Sequence, residues 1–312
     1  MGALLECAPT TAEYCAVDDI RSLTFLFFSA VLETHFQGQA GSSHKGPLMN
    51  PMVQFTLRAA RSAVEQFLRI RERIENAHDE ANLERLLEEA ARKAEATIVQ
   101  QLERGYPQHG LVGRYTDHKK GVDEGADVVW KIEPMHGYSN LAVAGKGFAL
   151  SVVCLVKNRP EHAVILAPFA DDEYIASRGR GAQYNGKRMR VSKPTAVAGT
   201  RSAMSLPESW LRSRHLPAYL TLTQQLAPQL ETLVATGSGL LDICELATGR
   251  VDSAFVLGIE EQDMQVGTLL LKETGALIGT PDGKPSISTE GLLMAAGPRL
   301  YKALIKQLAP HF

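Results

Sequence analysis

The 312-residue sequence lacks a long hydrophobic run, a pattern of paired cysteines and an excess of charge of either sign. Its longest apolar run, residues 23–32, is about half as long as the roughly 20 residues of a membrane-spanning helix, and acidic residues precede it where a secretory signal is basic. The wide spacing of the four cysteines excludes a disulfide framework and a zinc site built on cysteine pairs: Cys7, Cys15, Cys154 and Cys244. With a net charge of -2, the chain has no overall field that attracts nucleic acid or a membrane. We therefore expect a cytoplasmic protein.

Residues 1–48 are expected to lie outside the folded protein. A stretch rich in glycine and serine, residues 38–48, joins them to a helical pattern that begins at Met49. Two interpretations are open. Either translation starts at Met49 and residues 1–48 come from a wrongly assigned start, or they form a disordered extension whose apolar cluster, residues 25–28, packs on a partner.

From Met49 onward, the hydrophobic pattern alternates between helical and strand periods. Apolar residues at helical spacing predict two long amphipathic helices, over 53–68 and 83–102. Two shorter helices are predicted over 239–247 and 264–274, and the Asn-Gly pair at 185–186 predicts a hairpin turn. Apolar and β-branched segments predict strands over 128–132, 148–156, 163–166, 253–257 and 292–296.

This mixture favours an α/β or α+β fold of layered helices and sheets. We expect one compact domain with two lobes. The N-terminal α+β lobe covers residues 49–192, and the C-terminal α/β lobe covers residues 193–312.

Three stretches in a fixed order carry a resemblance to a known family. The first, residues 130–140, reads WKIEPMHGYSN, and the second, residues 178–192, reads RGRGAQYNGKRMRVS. The third runs from GSGLLD at 237–242 through ATGRVD at 247–252 to Asp263 and the ETG at 273–275. Together these motifs resemble the inositol monophosphatase family, and most closely its bacterial SuhB-type members. The resemblance covers Met49 to Pro310.

Membership of this family would imply an α-β-α-β-α sandwich, a homodimer and magnesium-dependent hydrolysis of phosphomonoesters. The metal ions would activate a bound water and neutralise the charge that builds on the phosphate, held mainly by carboxylates. The resemblance to SuhB-type proteins also implies a role with Nus factors and RNA polymerase in transcription antitermination on ribosomal RNA operons. That role uses surfaces and not the metal site.

The expected metal-binding positions depart from the family pattern. Arg114, followed by Tyr115, stands where the family has its first metal carboxylate. Glu133 and His136 stand where it has two aspartates, and Asp263 is retained. One cation and two carboxylates, with a neutral histidine, leave a net charge of -1 where the family has four carboxylates. The resemblance therefore implies that magnesium has lost most of its attraction.

Three further departures concern the surroundings of the metal. Residues 88–91 continue a helix where the family has a hairpin with a carboxylate that lines the metal pocket. Val256 stands where the family binds inositol hydroxyls with a glutamate, and a valine side chain cannot accept a hydrogen bond. Tyr138 replaces the hydroxyl residue that helps to hold the attacking water.

Several interpretations of the altered site remain open. In the first, Arg114 and Glu133 form a buried ion pair that replaces the metal, and an Arg114 guanidinium within reach of Glu133 would favour a site without hydrolysis. Alternatively, Glu133, His136 and Asp263 hold a softer metal than magnesium, such as manganese or zinc, in a surviving phosphatase. In a third interpretation, a small phosphorylated ligand binds between Arg114 and a helix start formed by Gly137, Tyr138 and Ser139, without any metal.

Two basic stretches are either solvated surface or contacts for RNA or polymerase: Arg58, Arg61, Arg69, Arg71 and Arg73, and Arg178, Arg180, Lys187, Arg188 and Arg190. Asp242 and Asp252 are interpreted as structural groups. The leading hypothesis is a SuhB-like protein with lost or strongly weakened phosphatase activity that works by binding.

Overall fold

A computed structural model of the chain describes residues 50–77, 79–206, 212–285 and 291–312. The expectations for residues 1–48, including Cys7 and Cys15, lie outside the described residues. In the described ranges, no helix combines the length and the apolar character that a membrane span requires.

The helices are α1 (Pro51–Glu75), α2 (Glu80–Gly105), α3 (Tyr138–Leu141), α4 (Arg212–Leu226), α5 (Gly239–Thr248), α6 (Glu261–Thr274) and α7 (Pro298–Leu308). The strands are β1 (Gly110–Gly113), β2 (Val128–His136), β3 (Ala149–Val156), β4 (Arg159–Ala167), β5 (Asp172–Ser177), β6 (Gly181–Tyr184), β7 (Lys187–Arg188), β8 (Arg201–Ala203), β9 (Thr232–Val234), β10 (Ser253–Leu257), β11 (Leu277–Gly279) and β12 (Leu292–Ala296).

The two long helices have clear start signals in the sequence. The Asn50 side chain accepts a hydrogen bond from the Met52 N–H at the start of α1, and Pro51 occupies the first helical position. Asp79 caps α2 in the same way, through the N–H of Asn82. Both predicted helices are confirmed, including the continuous helix over 88–91.

Two sheets form the framework. The first contains seven strands in chain order, β1 to β7, and its pairs are antiparallel except for β1 with β2. The second contains five strands in the order β11-β12-β10-β8-β9. The predicted turn between β6 and β7 is confirmed, since Asn185 and Gly186 have φ of 46° and 75°, as a two-residue hairpin turn of this kind requires.

Three hydrophobic clusters show how the layers stack. α1 and α2 bury their apolar faces, including Phe67 and Ile98, on one side of the first sheet. α5 and α6 fill the space between the sheets, with Cys244 and Leu270 fully buried there. Residues of α4 and α7 cover the outer side of the second sheet. The predicted α-β-α-β-α sandwich is confirmed.

The division at residues 192 and 193 stays a prediction. The described residues from Asn50 to Phe312 form one compact unit, and α6 contacts strands of both sheets. The starts of α5 and α6 meet the end of β2, and the site lies at this junction.

Candidate functional site

A pocket of about 120 Å³ lies where β2, α3, α5 and α6 meet. It is smaller than a typical small-molecule site of roughly 300–1,000 Å³. Most of the residues singled out in the sequence line it: Arg114, Glu133, His136, Gly137, Tyr138, Val256 and Asp263. Tyr115 and Ser139 do not. The structure therefore brings these seven residues into one place.

Arg114 and Glu133 face each other across the pocket. Arg114 Nε lies 3.6 Å from Glu133 Oε2, with side chains 44% and 13% exposed. The pair is thus partly solvated, and not buried as the sequence interpretation had it. The other oxygen, Oε1, accepts a hydrogen bond from the Met135 N–H. Burial raises the pKa of Glu133, while the neighbouring His136 and Arg114 act in the opposite direction.

Glu95 holds the loop that carries Arg114. This glutamate of α2 is fully buried. Its carboxylate accepts hydrogen bonds from the N–H groups of Arg114 and Tyr115, both at 2.9 Å, and from Thr116 Oγ1 at 2.6 Å. No motif in the sequence singles out Glu95, although it lies four positions after Ala91, on the apolar side of the helix.

Tyr115 points away from the pocket. The Arg92 guanidinium lies over its ring, 4.5 Å from the centroid, and burial raises the pKa of the Tyr115 hydroxyl. This contact between a helical residue and a loop residue gives Tyr115 a packing role on the surface of α2.

His136 is buried between two partners. Its Nδ1 lies 3.0 Å from Asp263 Oδ1, and its Nε2 lies 2.8 Å from Ser151 Oγ. Burial by itself lowers the pKa of His136, but Asp263 and the nearby carboxylates outweigh it and raise the pKa above its ordinary value. Ser151 was missed in the sequence analysis, although it is a lone hydroxyl in the buried apolar run of β3.

The chain enters α3 through a glycine that no other residue can replace easily. Gly137 has φ of 75°, and a Cβ there would collide with the carbonyl of Gly147. Asn140 anchors the same turn by donating to the carbonyls of Gly147 and Thr236, both at 2.9 Å. α3 has only four residues, and Tyr138 and Ser139 are exposed. Phosphate binding at Gly137, Tyr138 and Ser139 stays a prediction.

Asp242 lies at the base of the pocket and is fully buried. It accepts hydrogen bonds from the Ser205 N–H at 2.7 Å, and from the Thr236 N–H and hydroxyl at 3.2 and 2.8 Å. Burial raises its pKa to about 6, against the lowering effect of these hydrogen bonds. Asp252 accepts from Ser192 Oγ and the Arg201 N–H. These contacts fit the structural roles expected for both aspartates.

Comparison with known proteins gives the family. The sequence profile described as Inositol monophosphatase family matches residues 48–311. The chain belongs to this family. Nus factor SuhB of Pseudomonas aeruginosa is 36% identical over 264 residues, which cover 84% of this chain and 97% of that protein. Nus factor SuhB of Escherichia coli strain K12 is 30% identical over 263 residues, 83% of this chain and 96% of that protein. The chain is a SuhB-type member of the inositol monophosphatase family.

Solved structures of inositol monophosphatase-family proteins share the fold. SuhB of Bartonella henselae aligns with a TM-score of 0.72 at 22% identity, covering 84% of this chain and 99% of that chain. The inositol monophosphatase of Anabaena aligns with a TM-score of 0.68 at 22% identity, covering 83% of this chain and 95% of that one. At these identities the likeness supports the fold alone.

The donor set of this inositol monophosphatase-family protein does not fit magnesium. Magnesium needs oxygen ligands in near-octahedral geometry, whereas Glu133 faces a guanidinium, and both ring nitrogens of His136 are engaged. Across the part of the chain that the structure describes, no group of three or more His, Cys, Asp and Glu side chains is placed to hold a metal ion. Binding of manganese or zinc by Glu133, His136 and Asp263 stays a prediction.

Proposed function

We propose that this SuhB-type protein works by binding and has lost, or nearly lost, metal-dependent phosphatase activity. One observation carries the proposal: the altered metal positions are partnered with each other. Arg114 lies against Glu133, and His136 is hydrogen-bonded to Asp263. A metal ion would have to displace both contacts before it could bind.

The charge of Arg114 acts in the same direction. Two unit charges about 4 Å apart near a protein surface interact by roughly 4 kcal/mol, and a divalent ion doubles the effect. A guanidinium in the place of a carboxylate therefore turns an attraction of several kcal/mol into a repulsion. Part of this repulsion is screened, because the Arg114 side chain is 44% exposed.

The names of the relatives suggest the class of binding partner. Proteins named Nus factor SuhB match this chain over nearly their whole length. We therefore propose that this protein, too, acts in the cytoplasm in transcription antitermination, as a homodimer that binds Nus factors and RNA polymerase. Such binding uses the outer surface and is compatible with a pocket that holds no metal.

The first test is phosphate release by the full chain, on a panel of inositol and sugar phosphates, in magnesium and separately in manganese. We expect release no faster than that of an Asp263→Asn variant, because the parent already lacks a working metal site. Elemental analysis of the purified protein should show no stoichiometric divalent metal. Metal-dependent turnover that Asp263→Asn abolishes would show instead a working phosphatase with a rebuilt metal site.

The second test is binding to purified RNA polymerase and Nus factors of the same organism. Binding is measured, without RNA, as co-elution in gel filtration. We expect a stable complex. The triple variant Arg114→Glu, Glu133→Asp, His136→Asp should bind equally well, because it alters the pocket and leaves the outer surface intact. Failure of the parent to co-elute with any of these proteins would refute the proposed binding role.

A further inference from the structure

Four arginines lie at or near the turn between β5 and β6, outside the pocket. Arg178 and Arg180 lie in the turn itself, and Arg188 and Arg190 follow on and after β7. All four are exposed, and none of them lines the pocket. We propose that this arginine turn, defined as Arg178, Arg180, Arg188 and Arg190, binds the phosphate backbone of RNA.

The turn is fixed in place by one glutamate of α6. The N–H groups of Gly179 and Gly181 each donate to the Glu273 carboxylate at 2.8 Å. The Arg188 guanidinium lies over Gly181, with its atoms 3.5 to 3.8 Å from the position that a Cβ would occupy there. The tip of the hairpin is therefore tied to the end of a 14-residue helix, and the Arg188 guanidinium lies beside it.

Arg178 and Arg190, the first and last arginines of the set, also contact neighbouring backbone carbonyls. Arg178 Nε donates to the Pro160 carbonyl at 2.9 Å and lies 3.2 Å from a Glu161 oxygen. Arg190 Nη1 donates to the Glu273 carbonyl at 3.5 Å. Because these arginines are anchored, ordering them on a ligand costs less conformational entropy than ordering free side chains.

The charges around the turn are unbalanced. In the described ranges, no carboxylate forms an ion pair with Arg180 or Arg188. Arg178 pairs with Glu161, and Glu273 accepts hydrogen bonds from two backbone N–H groups of the turn, so that in the part of the chain that the structure describes four arginines stand beside two contacting carboxylates. The surplus of two positive charges stands out on a chain with a net charge of -2, and a local excess of this kind attracts a polyanion.

The chemistry of the turn favours a phosphate backbone over an acidic protein segment. Apart from the neighbouring Lys187, the exposed cations named in and after the turn are arginines, whose planar guanidinium matches two phosphate oxygens at once and stacks on unpaired bases. The backbone N–H groups of the turn are occupied by Glu273. Phosphates are therefore contacted through side chains, and the affinity should depend strongly on salt.

The inference rests on the proposed binding role, but it concerns a different surface. Its test is the fluorescence anisotropy of a labelled, unstructured RNA titrated with the full chain, over about 50 to 200 mM salt. We expect a dissociation constant on the order of 1 to 100 µM at physiological salt, which lies within this range, and tighter binding at lower salt. The double variant Arg180→Glu, Arg188→Glu should bind at least about tenfold more weakly. Its slope of log affinity against log salt should be smaller by about 1.4, or about 0.7 for each phosphate that the variant no longer neutralises.

A matched control makes the same change of charge elsewhere. Arg69 and Arg73 are exposed arginines of α1, four positions apart. α1 packs on one side of the first sheet, and α6, which holds the turn, packs on the other. Arg69→Glu, Arg73→Glu should therefore change the RNA affinity by less than about twofold, because salt screens charges on opposite sides of the protein. The milder Arg180→Lys, Arg188→Lys variant keeps the positive charges and loses the planar guanidinium groups. Its RNA affinity should therefore lie between those of the parent and of the Arg180→Glu, Arg188→Glu variant. Unchanged thermal unfolding would show that every variant is folded.

Three outcomes would overturn the inference. The first is an equal loss of affinity in the α1 control, which would reduce the effect to net charge. The second is binding of polyglutamate as tightly as RNA at the same salt, which would assign the turn to an acidic protein segment. The third is no RNA binding by the parent at about 50 mM salt. In that case the co-elution with RNA polymerase and Nus factors, measured without RNA, still decides the proposed function separately.

Discussion

The triple variant Arg114→Glu, Glu133→Asp, His136→Asp should fold into a protein whose stability depends on magnesium. It replaces a cation, a long carboxylate and an imidazole by carboxylates, and Asp263 supplies the fourth. Four carboxylates around one pocket repel each other when no cation is bound. Without magnesium, the variant should therefore be less stable than the parent. With magnesium, the same charges become ligands.

The measurement is the unfolding temperature against magnesium concentration. A ligand at about 100 times its dissociation constant adds about 2.7 kcal/mol to the free energy of unfolding, which corresponds to roughly 5–10 °C for a protein of this size. The parent should show no such rise. Phosphate release is a second readout, although Val256 still lacks the hydrogen-bond acceptor expected for inositol.

The control adds Asp263→Asn to the triple variant. Removing the one retained carboxylate should abolish most of the magnesium effect, because three carboxylates attract the ion less and leave one ligand position neutral. An equal rise for parent and triple variant would mean that Arg114 and His136 do not keep magnesium out. The charge argument for a lost metal site would then be wrong.

The fold could be predicted largely from local patterns, because helices and strands differ in their hydrophobic period. The two long helices, the Asn185-Gly186 turn and the central strands carry strong signals of this kind. α4 carries a weak one, since it contains Pro217 and buries only His215, Leu222 and Leu226. Its place is decided by packing on the second sheet, so α4 was not predicted from the sequence.

The site could be predicted only where it depends on a motif. Arg114 and Glu133 were expected to lie close together because both stand at positions that bind metal in the family. The second partner of His136 could not be found in that way: Ser151 lies 15 residues away along a buried strand. Such a contact depends on strand register, in this case the pairing of β2 with β3, with an irregularity between Glu133 and His136.

The register of β2 and β3 also explains why Glu133 and His136 point to the same side of the strand. Glu133 pairs with Ser151, and His136 pairs with Ala149, so the irregularity turns the strand between them. Glu133 and His136 thereby both line the pocket. The backbone still presents these positions to one place, and only the side chains have changed.

Replacing Glu95 by Gln should strongly destabilise the protein, although Glu95 does not line the pocket. The buried carboxylate accepts three hydrogen bonds, two of them from backbone N–H groups. A glutamine amide keeps one acceptor oxygen, but its NH₂ group would face a donor that now contacts the second carboxylate oxygen. Because unsatisfied buried donors cost about 1–3 kcal/mol each, we expect a loss of about 3 kcal/mol in the free energy of unfolding, measured by urea denaturation.

The matched control is Glu89→Gln in the same helix. Glu89 forms an exposed ion pair with Lys93 at 2.6 Å, with side chains 51% and 60% exposed. Exposed pairs at this spacing contribute about 0.3–0.5 kcal/mol, so this variant should stay close to the parent. If Glu95→Gln also stays within about 0.5 kcal/mol of the parent, the buried hydrogen bonds do not hold the loop as argued.

Gly113 offers an independent way to disturb the same contact. A Cβ at Gly113 would collide with the Glu95 carboxylate, so Gly113→Ala should weaken the same hydrogen bonds, and its effect should not add to that of Glu95→Gln.

The contact of Glu95 also affects the pocket, since Glu95 binds the backbone of Arg114 and not its side chain. The loop therefore presents whatever side chain stands at position 114. Adding Glu95→Gln to the triple variant should then remove much of the magnesium effect, because the new carboxylate would no longer be held at the pocket.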